Sequence, residues 1–236
     1  MKRKILALAI ALAGGILAAT QLPQIRPHVQ AVTSQIPTQV LDLKPLQQIR
    51  PISAVEALKQ TRKCVKCDLR GANLSGLDLS RAELQGANLR GANLQRTLLI
   101  NSVMTQADLA NANLQQANLQ GADLQQANLE SANLHQAQMM HVSLDHANLQ
   151  SASLDRAELR AASLVESNLK QAKMHRASLY GSILIRADLA IADLSSADLR
   201  YANFLEANLT RTNLSNAQME FAILPNGTTY QGTVPY

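Results

Sequence analysis

The hydrophobic positions of the chain recur every five residues from Leu69 to Leu224. Of the 32 central positions in this register, 27 are Leu, four are Met and one is Phe204, so all are apolar. The residue two places before each central position is Ala in 24 of the 32 cases. The eight exceptions, most of them small, are Cys67, Leu77, Thr97, Ser102, Val142, Ser167, Ser182 and Thr212. The pattern therefore predicts a repeated unit with two inward-facing side chains.

A spacing of five fits neither a regular helix nor a long strand. On an α-helix each step of five residues rotates by about 140°, which scatters the Leu side chains around the axis. On a straight strand an odd spacing sends successive Leu residues to opposite faces. If the chain bends after each pentad, every central residue points to one axis, and four bends close a square. The spacing predicts an all-β, quadrilateral parallel β-helix of about eight coils over residues 67–224.

Glycine and proline support these bends. All six Gly between residues 67 and 224 lie two places after a central position, where a turn can use their conformational freedom. All seven Pro lie outside this range. Their exclusion is expected if the backbone N–H groups of the repeat form hydrogen bonds between coils.

Two segments precede the domain. Residues 1–19 have a basic start and an apolar run, which is typical of a signal peptide; an uncleaved N-terminal anchor is the alternative. The run is shorter than the roughly 20 residues that span a membrane. Residues 20–52 contain five Pro and several Gln, and this composition predicts an extended tether.

The residues next to the repeat are predicted to cover its ends. Ser53 and Glu56 match a capping box, so residues 53–66 predict a short amphipathic helix to about Arg62, followed by a lead-in. A repeat stack needs such a cap because its first coil has no neighbour. Residues 225–236 are left as a C-terminal tail.

The positive charge is confined to the N-terminal part of the chain. Residues 1–67 carry ten basic and two acidic residues, a net charge of +8. Residues 68–236 carry twelve basic and fifteen acidic residues, a net charge of −3. With no long basic run beside aromatic side chains, this distribution argues against nucleic-acid binding.

The repeat resembles the pentapeptide-repeat family, whose unit is Ala-(Asp/Asn)-Leu-x-x, as in Ala87-Asn88-Leu89-Arg90-Gly91. The similarity covers about two thirds of the chain and implies a right-handed β-helix. The segment from Cys64 to Leu74 is similar to the lead-in of exported cyanobacterial members, in which a short helix and a C-x-x-C precede the first coil.

Cys64 and Cys67 are the only cysteines in the chain. In an exported protein they are candidates for a structural disulfide at the first coil. Two alternatives stay open: reduced thiols, with Cys67 filling an inward position, and a zinc or redox site. Zinc lacks a second pair of ligands, and a redox motif lacks its βαβ setting.

The sequence predicts no catalytic site, cofactor or metal centre. The four-face assignment places His135 and His175 on one face, two coils and about 10 Å apart. A solid rod also offers no pocket. Either Asp or Asn precedes every central residue of the first face, where we expect hydrogen bonds to backbone and to each other. A row of cation sites is the alternative, and these residues are Asp68, Asn88, Asp108, Asn128, Asn148, Asn168, Asp188 and Asn208.

Apolar residues also occur at outward positions in the last four coils. They fall on the third and fourth faces, near the edge that those faces share, and such a patch predicts an interaction surface. The alternative is that the tail, with Tyr230 and Tyr236, folds back to cover it. The surface consists of Val165, Tyr180, Ile183, Ile185, Tyr201, Leu205, Phe221 and Ile223.

Three functional hypotheses follow. The leading one is a non-catalytic scaffold of the periplasm or thylakoid lumen, which binds a protein partner or a second copy through the apolar surface. It contacts a membrane only through an uncleaved N-terminal segment, if at all. The second is inhibition of a DNA-handling enzyme such as gyrase by imitation of DNA, which the weak rod charge and the export signal disfavour. The third is a rod that binds ions or small ligands.

Overall fold

The computed structural model describes residues 53–232. The predicted signal peptide or anchor, the tether and the end of the tail, including Tyr236, lie outside the described residues. The described part contains one helix, α1 (Ala54–Thr61), and no helix in it is long and apolar enough to cross a membrane.

Helix α1 begins and ends as its sequence predicts. The Ser53 side chain accepts a hydrogen bond of 3.2 Å from the Glu56 N–H. At the other end, Arg62 adopts a left-handed conformation with φ of 57°, and its N–H donates to the Leu58 carbonyl. The Leu58 side chain is fully buried at the end of the coil stack. The prediction of a short capping helix is confirmed.

The rest of the described chain is a right-handed quadrilateral parallel β-helix. Every parallel bridge joins residues 20 apart, from Lys63 with Glu83 to Asn203 with Ile223. Each side of the square contributes one bridging residue, the one before the central position. The fold predicted from the spacing of five is therefore confirmed. We number coils one to eight from Leu69, and faces one to four by the central residues Leu69, Leu74, Leu79 and Leu84.

Each pentad bends through the same turn. The central carbonyl accepts a hydrogen bond from the N–H three residues later, as Leu69 does from Ala72 at 3.0 Å. The residue two places after the centre has a positive φ, whether it is Gly or not. Where Asn or Asp precedes the centre, its Oδ1 often accepts from the N–H two residues on, as Asn88 does from Arg90 at 3.2 Å. Local side-chain chemistry thus supports many of the bends, and the backbone turn is common to all of them.

The interior is a stack of buried Leu and Ala, with a few hydroxyl groups at the Ala positions. Ser102, Ser167 and Ser182 are buried, and each donates to the carbonyl of the preceding central residue at 2.7–2.8 Å. The buried Thr97 hydroxyl donates to the Leu74 carbonyl of the coil below at 2.9 Å. These hydroxyls fit an apolar core because each has an acceptor.

Pairing between coils begins one pentad before the Leu pattern. Cys64 takes a central position and is 6% exposed. Its N–H donates to the Glu83 carbonyl at 2.8 Å, next to the bridge between Lys63 and Glu83. Because Cys replaces Leu at this centre, the period in the sequence hides the first bend.

Candidate interaction surface

The predicted apolar residues lie together on coils five to eight. Val165, Ile185 and Leu205 each follow a central residue of the fourth face and stand one above the other, half-buried. Ile183 and Ile223 precede central residues of the same face; Ile183 is 41% exposed and Ile223 is half-buried. The fourth face of these coils is therefore largely apolar, whereas the same columns hold Asp123, Gln125 and Asp145 in coils three and four.

Three aromatic rings form a ladder at the edge between the third and fourth faces. The ring centroids of Tyr180 and Tyr201 are 5.2 Å apart, and those of Tyr201 and Phe221 are 4.9 Å apart and nearly parallel. Their exposed fractions are 39%, 49% and 59%, respectively. Ring stacking is favourable, yet these large apolar surfaces stay in contact with water.

Two rings of the ladder occupy a backbone conformation that does not suit them. Tyr201 and Phe221 have φ of 60° and 62°. The left-handed region costs a bulky residue roughly 1–2 kcal/mol relative to glycine. Gly181 takes the same corner one coil earlier, and a Cβ atom added there would meet nothing within 4 Å. The corner column thus runs from the small residues Ala161 and Gly181 to Tyr201 and Phe221.

Charged residues border the ladder on the third face. The Arg200 guanidinium lies 5.5 Å from the Tyr180 ring centroid and pairs with Asp198 at 2.8 Å. The hydrogen bond from Arg200 lowers the pKa of Asp198 despite partial burial of its carboxyl group. The pair therefore stays ionised at neutral and mildly acidic pH and holds the guanidinium beside the ring.

A second row of charges borders the fourth face on its other side. Arg186 pairs with Glu166 at 3.2 Å and reaches Glu206 at 4.0 Å. The His146 imidazole lies 3.3 Å from the other oxygen of Glu166. These pairs are exposed, so each contributes little to stability. The apolar surface is consequently framed by ionic side chains on both edges.

The tail folds back over the end of the stack. The Leu224 N–H donates to the Thr228 carbonyl at 2.7 Å, and the Tyr230 N–H donates to the Ala222 carbonyl at 2.8 Å. Ile223 and Thr229 form an antiparallel bridge. As far as residue 232, this hairpin covers the end of the fourth face and leaves the aromatic ladder exposed.

The two cysteines stand side by side at the start of the first coil. Their Cα atoms are 5.3 Å apart, a separation typical of a disulfide, and their sulfur atoms are in contact. Cys64 sits at a central position of the lead-in and Cys67 at the first inward position of coil one, so a bond would join the lead-in to the first side of that coil. This arrangement supports the resemblance to members with a C-x-x-C lead-in.

The polar ladders bond within the protein. On the first face the Asn128, Asn148 and Asn168 amides each donate to the residue one coil below at 3.0–3.1 Å. The His175 imidazole lies 2.9 Å from the Ser195 hydroxyl. Between residues 53 and 232, no three His, Cys, Asp or Glu side chains are placed to hold a metal ion.

Several features of the surface escaped the sequence analysis. The prediction did not include the charged borders or the small corner residues Ala161 and Gly181. It also missed three exposed apolar side chains away from the surface, namely Val65, Leu98 and Ile191. Comparing residues 20 apart along each column would have found the borders, since that spacing places side chains in contact.

Known proteins similar to this chain share its repeat. The family described as Pentapeptide repeats matches in eight copies, which together span residues 67–190 and 192–226. HetL, a pentapeptide repeat protein involved in heterocyst differentiation regulation from the cyanobacterium Nostoc sp. strain PCC 7120, is 31% identical. The match covers 71% of this chain and 89% of HetL, with a TM-score of 0.42.

Two further solved structures are more distant in sequence. QnrB1, a plasmid-mediated fluoroquinolone resistance protein, is 22% identical over 65% of this chain and 75% of its own, with a TM-score of 0.44. A pentapeptide repeat protein from the Arabidopsis thaliana thylakoid lumen is 20% identical over 60% of this chain and 68% of its own, with a TM-score of 0.22. Comparison with curated proteins found no match.

Proposed function

The chain belongs to the pentapeptide-repeat family, and from that premise we propose that it is a non-catalytic protein-interaction module exported to the periplasm or thylakoid lumen. Its apolar surface on coils five to eight binds a protein partner. The rod supplies a rigid support, because each coil is hydrogen-bonded to its neighbours along all four faces.

The aromatic ladder carries this proposal. An exposed, contiguous apolar patch with a polar border is characteristic of a protein-binding site. Tyr201 and Phe221 also hold a left-handed backbone conformation that Gly or Asn would adopt with less strain. Other coils place polar or small residues at the same corner, including Arg81, Asn101 and Gly121. The fold itself therefore does not require aromatic side chains there.

Two features support export: the N-terminal segment and the cysteine pair. The basic start and apolar run of residues 1–19 have the form of a signal peptide. In an oxidising compartment the adjacent Cys64 and Cys67 form a disulfide that braces the first coil. Contact with a membrane is confined to the N-terminal segment, in those molecules that keep this segment uncleaved.

The function is tested with one matched pair of substitutions. Tyr201 and Ile191 are 49% and 48% exposed, and both occupy a left-handed corner position. Asn tolerates that conformation, so Tyr201→Asn and Ile191→Asn should both fold. Cross-linking in cells, followed by affinity recovery and mass spectrometry, measures what each variant binds. We expect the amount of partner protein recovered with Tyr201→Asn to be at least about tenfold lower than with the wild type.

Ile191→Asn provides the comparison in the same cells. It should retain the partners of the wild-type protein, because Ile191 lies at the edge between the first and second faces, away from the ladder. Equal recovery with Tyr201→Asn and Ile191→Asn would contradict the proposed function. Thermal melting of both purified variants checks that they are folded.

A further inference from the structure

We infer that a second copy of this chain binds the apolar surface, with the two rods antiparallel and a twofold axis between coils six and seven. This inference rests on the proposed function, since it names the partner of the same surface. A twofold contact must be self-complementary, and with this axis coil six of one copy faces coil seven of the other, while coil five faces coil eight. In coils five to eight, the corner column, the column after the central residues and the charged border meet this condition.

The corner column is complementary in size. The twofold axis places Tyr201 of one copy opposite Gly181 of the other, and Phe221 opposite Ala161. Gly181 has open space where a side chain would stand. Two aromatic rings therefore meet two small residues, and the exchange occurs twice by symmetry.

In the antiparallel pair, the column after the central residues faces the same column of the second copy, and every contact along it is apolar. Ile185 lies opposite Leu205, and Val165 lies opposite Pro225. All four are half-buried in the single chain and lose further water contact in the pair. Moving the twofold axis by one coil, to lie between coils five and six, would instead bring Leu205 against Asp145 and so place a carboxylate against an apolar side chain.

The charged border selects the same register. Arg186 of one copy lies opposite Glu206 of the other, which gives two symmetric ion pairs. Within one chain Glu206 is held only loosely, at 4.0 Å from Arg186 and with its side chain 63% exposed, so it is free to bind the second copy. A twofold axis through coil six would instead place Arg186 opposite Arg186 and Glu166 opposite Glu206, and both are pairs of like charge. Parallel rods would put the aromatic edge against the charged edge.

The size of the contact indicates a weak, reversible dimer. Four coils extend about 19 Å along the rod, and one face is about 10 Å wide, roughly 200 Å² before the edges are added. A stable interface buries about 800 Å² per partner. The dimer should therefore dissociate on dilution, and its strength should depend on a few central contacts.

Sedimentation equilibrium of the full chain over a wide concentration range tests association. Ile185→Asp places a charge at the centre of the contact and should weaken dimerisation at least about tenfold. Ile100→Asp is the matched control, since Ile100 is also half-buried after a central residue but lies in coil two on the third face. A wild-type monomer at every concentration, or association that Ile185→Asp leaves unchanged, overturns the inference.

Cysteine cross-linking tests the register. Full chains carrying Val165→Cys and Pro225→Cys should cross-link when mixed, and neither should cross-link strongly alone, because the two copies of each residue stand three coils, about 14 Å, apart along the rod. Efficient cross-linking of Val165→Cys with itself would overturn the antiparallel register. Loss of other recovered proteins in Tyr201→Asn cells, together with a monomeric wild type, would leave the proposed function standing while the self-association fails. The two proposals are thus separable.

Discussion

The two ends of the rod are closed to different degrees. At the N-terminal end, α1 buries Leu58 completely on the stack, and Arg62 pairs with Asp78 across 3.2 Å. At the C-terminal end, the tail hairpin covers only the last coil at its fourth face, while Leu209 and Leu214 of the first and second faces remain only partly buried. One end is capped by a dedicated helix, and the other is covered on part of its square.

The backbone shows the same contrast. The N–H groups of Leu189 and Leu194 donate to Asn208 and Asn213 of the last coil. In the described part of the chain, the N–H groups of Leu209 and Leu214 have no such backbone acceptor. Because a solenoid is stabilised by contacts between neighbouring repeats, the last coil should open at lower free energy than the first. The apolar surface lies at this less protected end.

The largest expected effect comes from removing the contact of the N-terminal cap. Leu58→Ala deletes a fully buried side chain and should lower the free energy of unfolding by about 3 kcal/mol. Urea denaturation followed by circular dichroism measures it. Lys59→Ala, at an exposed position of the same helix, should change stability by less than about 0.5 kcal/mol. A loss in Lys59→Ala as large as that in Leu58→Ala would contradict a contribution from the buried Leu58 side chain, because Ala favours the helix at both positions.

The cysteine pair should have the next largest effect. Cys64→Ser removes the cross-link that closes a short loop, and this should lower the free energy of unfolding of the oxidised protein by about 2 kcal/mol. The wild type should lose much of this difference when a reductant is added, because the same cross-link is then broken. Denaturation midpoints with and without reductant measure both changes. A wild type insensitive to reductant would mean that the cysteines are reduced thiols.

The smallest of the three effects is expected at the C-terminal end. Tyr230 is only partly buried against the core, so Tyr230→Ala should cost about 1 kcal/mol. Loss of this contact should also raise amide hydrogen exchange in coil eight more than in coil one. Mass spectrometry of exchanged peptides measures the difference. Uniform acceleration along the rod would show that it unfolds as one unit and would remove the contrast between its ends.

The position of the candidate surface could be computed from the repeat alone. With 20 residues to a coil, the numbers of Ile185 and Leu205 place them one above the other, and the structure agrees. The role of the surface stays a prediction. The contacts of the tail could not be predicted in this way, because Tyr230 packs through a single hairpin that no other coil repeats.

The sequence by itself determined the coil, its four faces, the Leu and Ala core and the capping helix. Each of these depends on a local pattern that recurs many times, so a single substitution such as Phe204 does not obscure it. Only the tertiary structure decided the first paired residue Lys63, the stacking of Tyr201 on Phe221 and the pairing of Arg186 with Glu166. These contacts occur once or a few times, between side chains 20 residues apart whose conformations depend on each other. The spacing of 20 places these side chains in neighbouring coils, and packing in three dimensions decides which of them make contact.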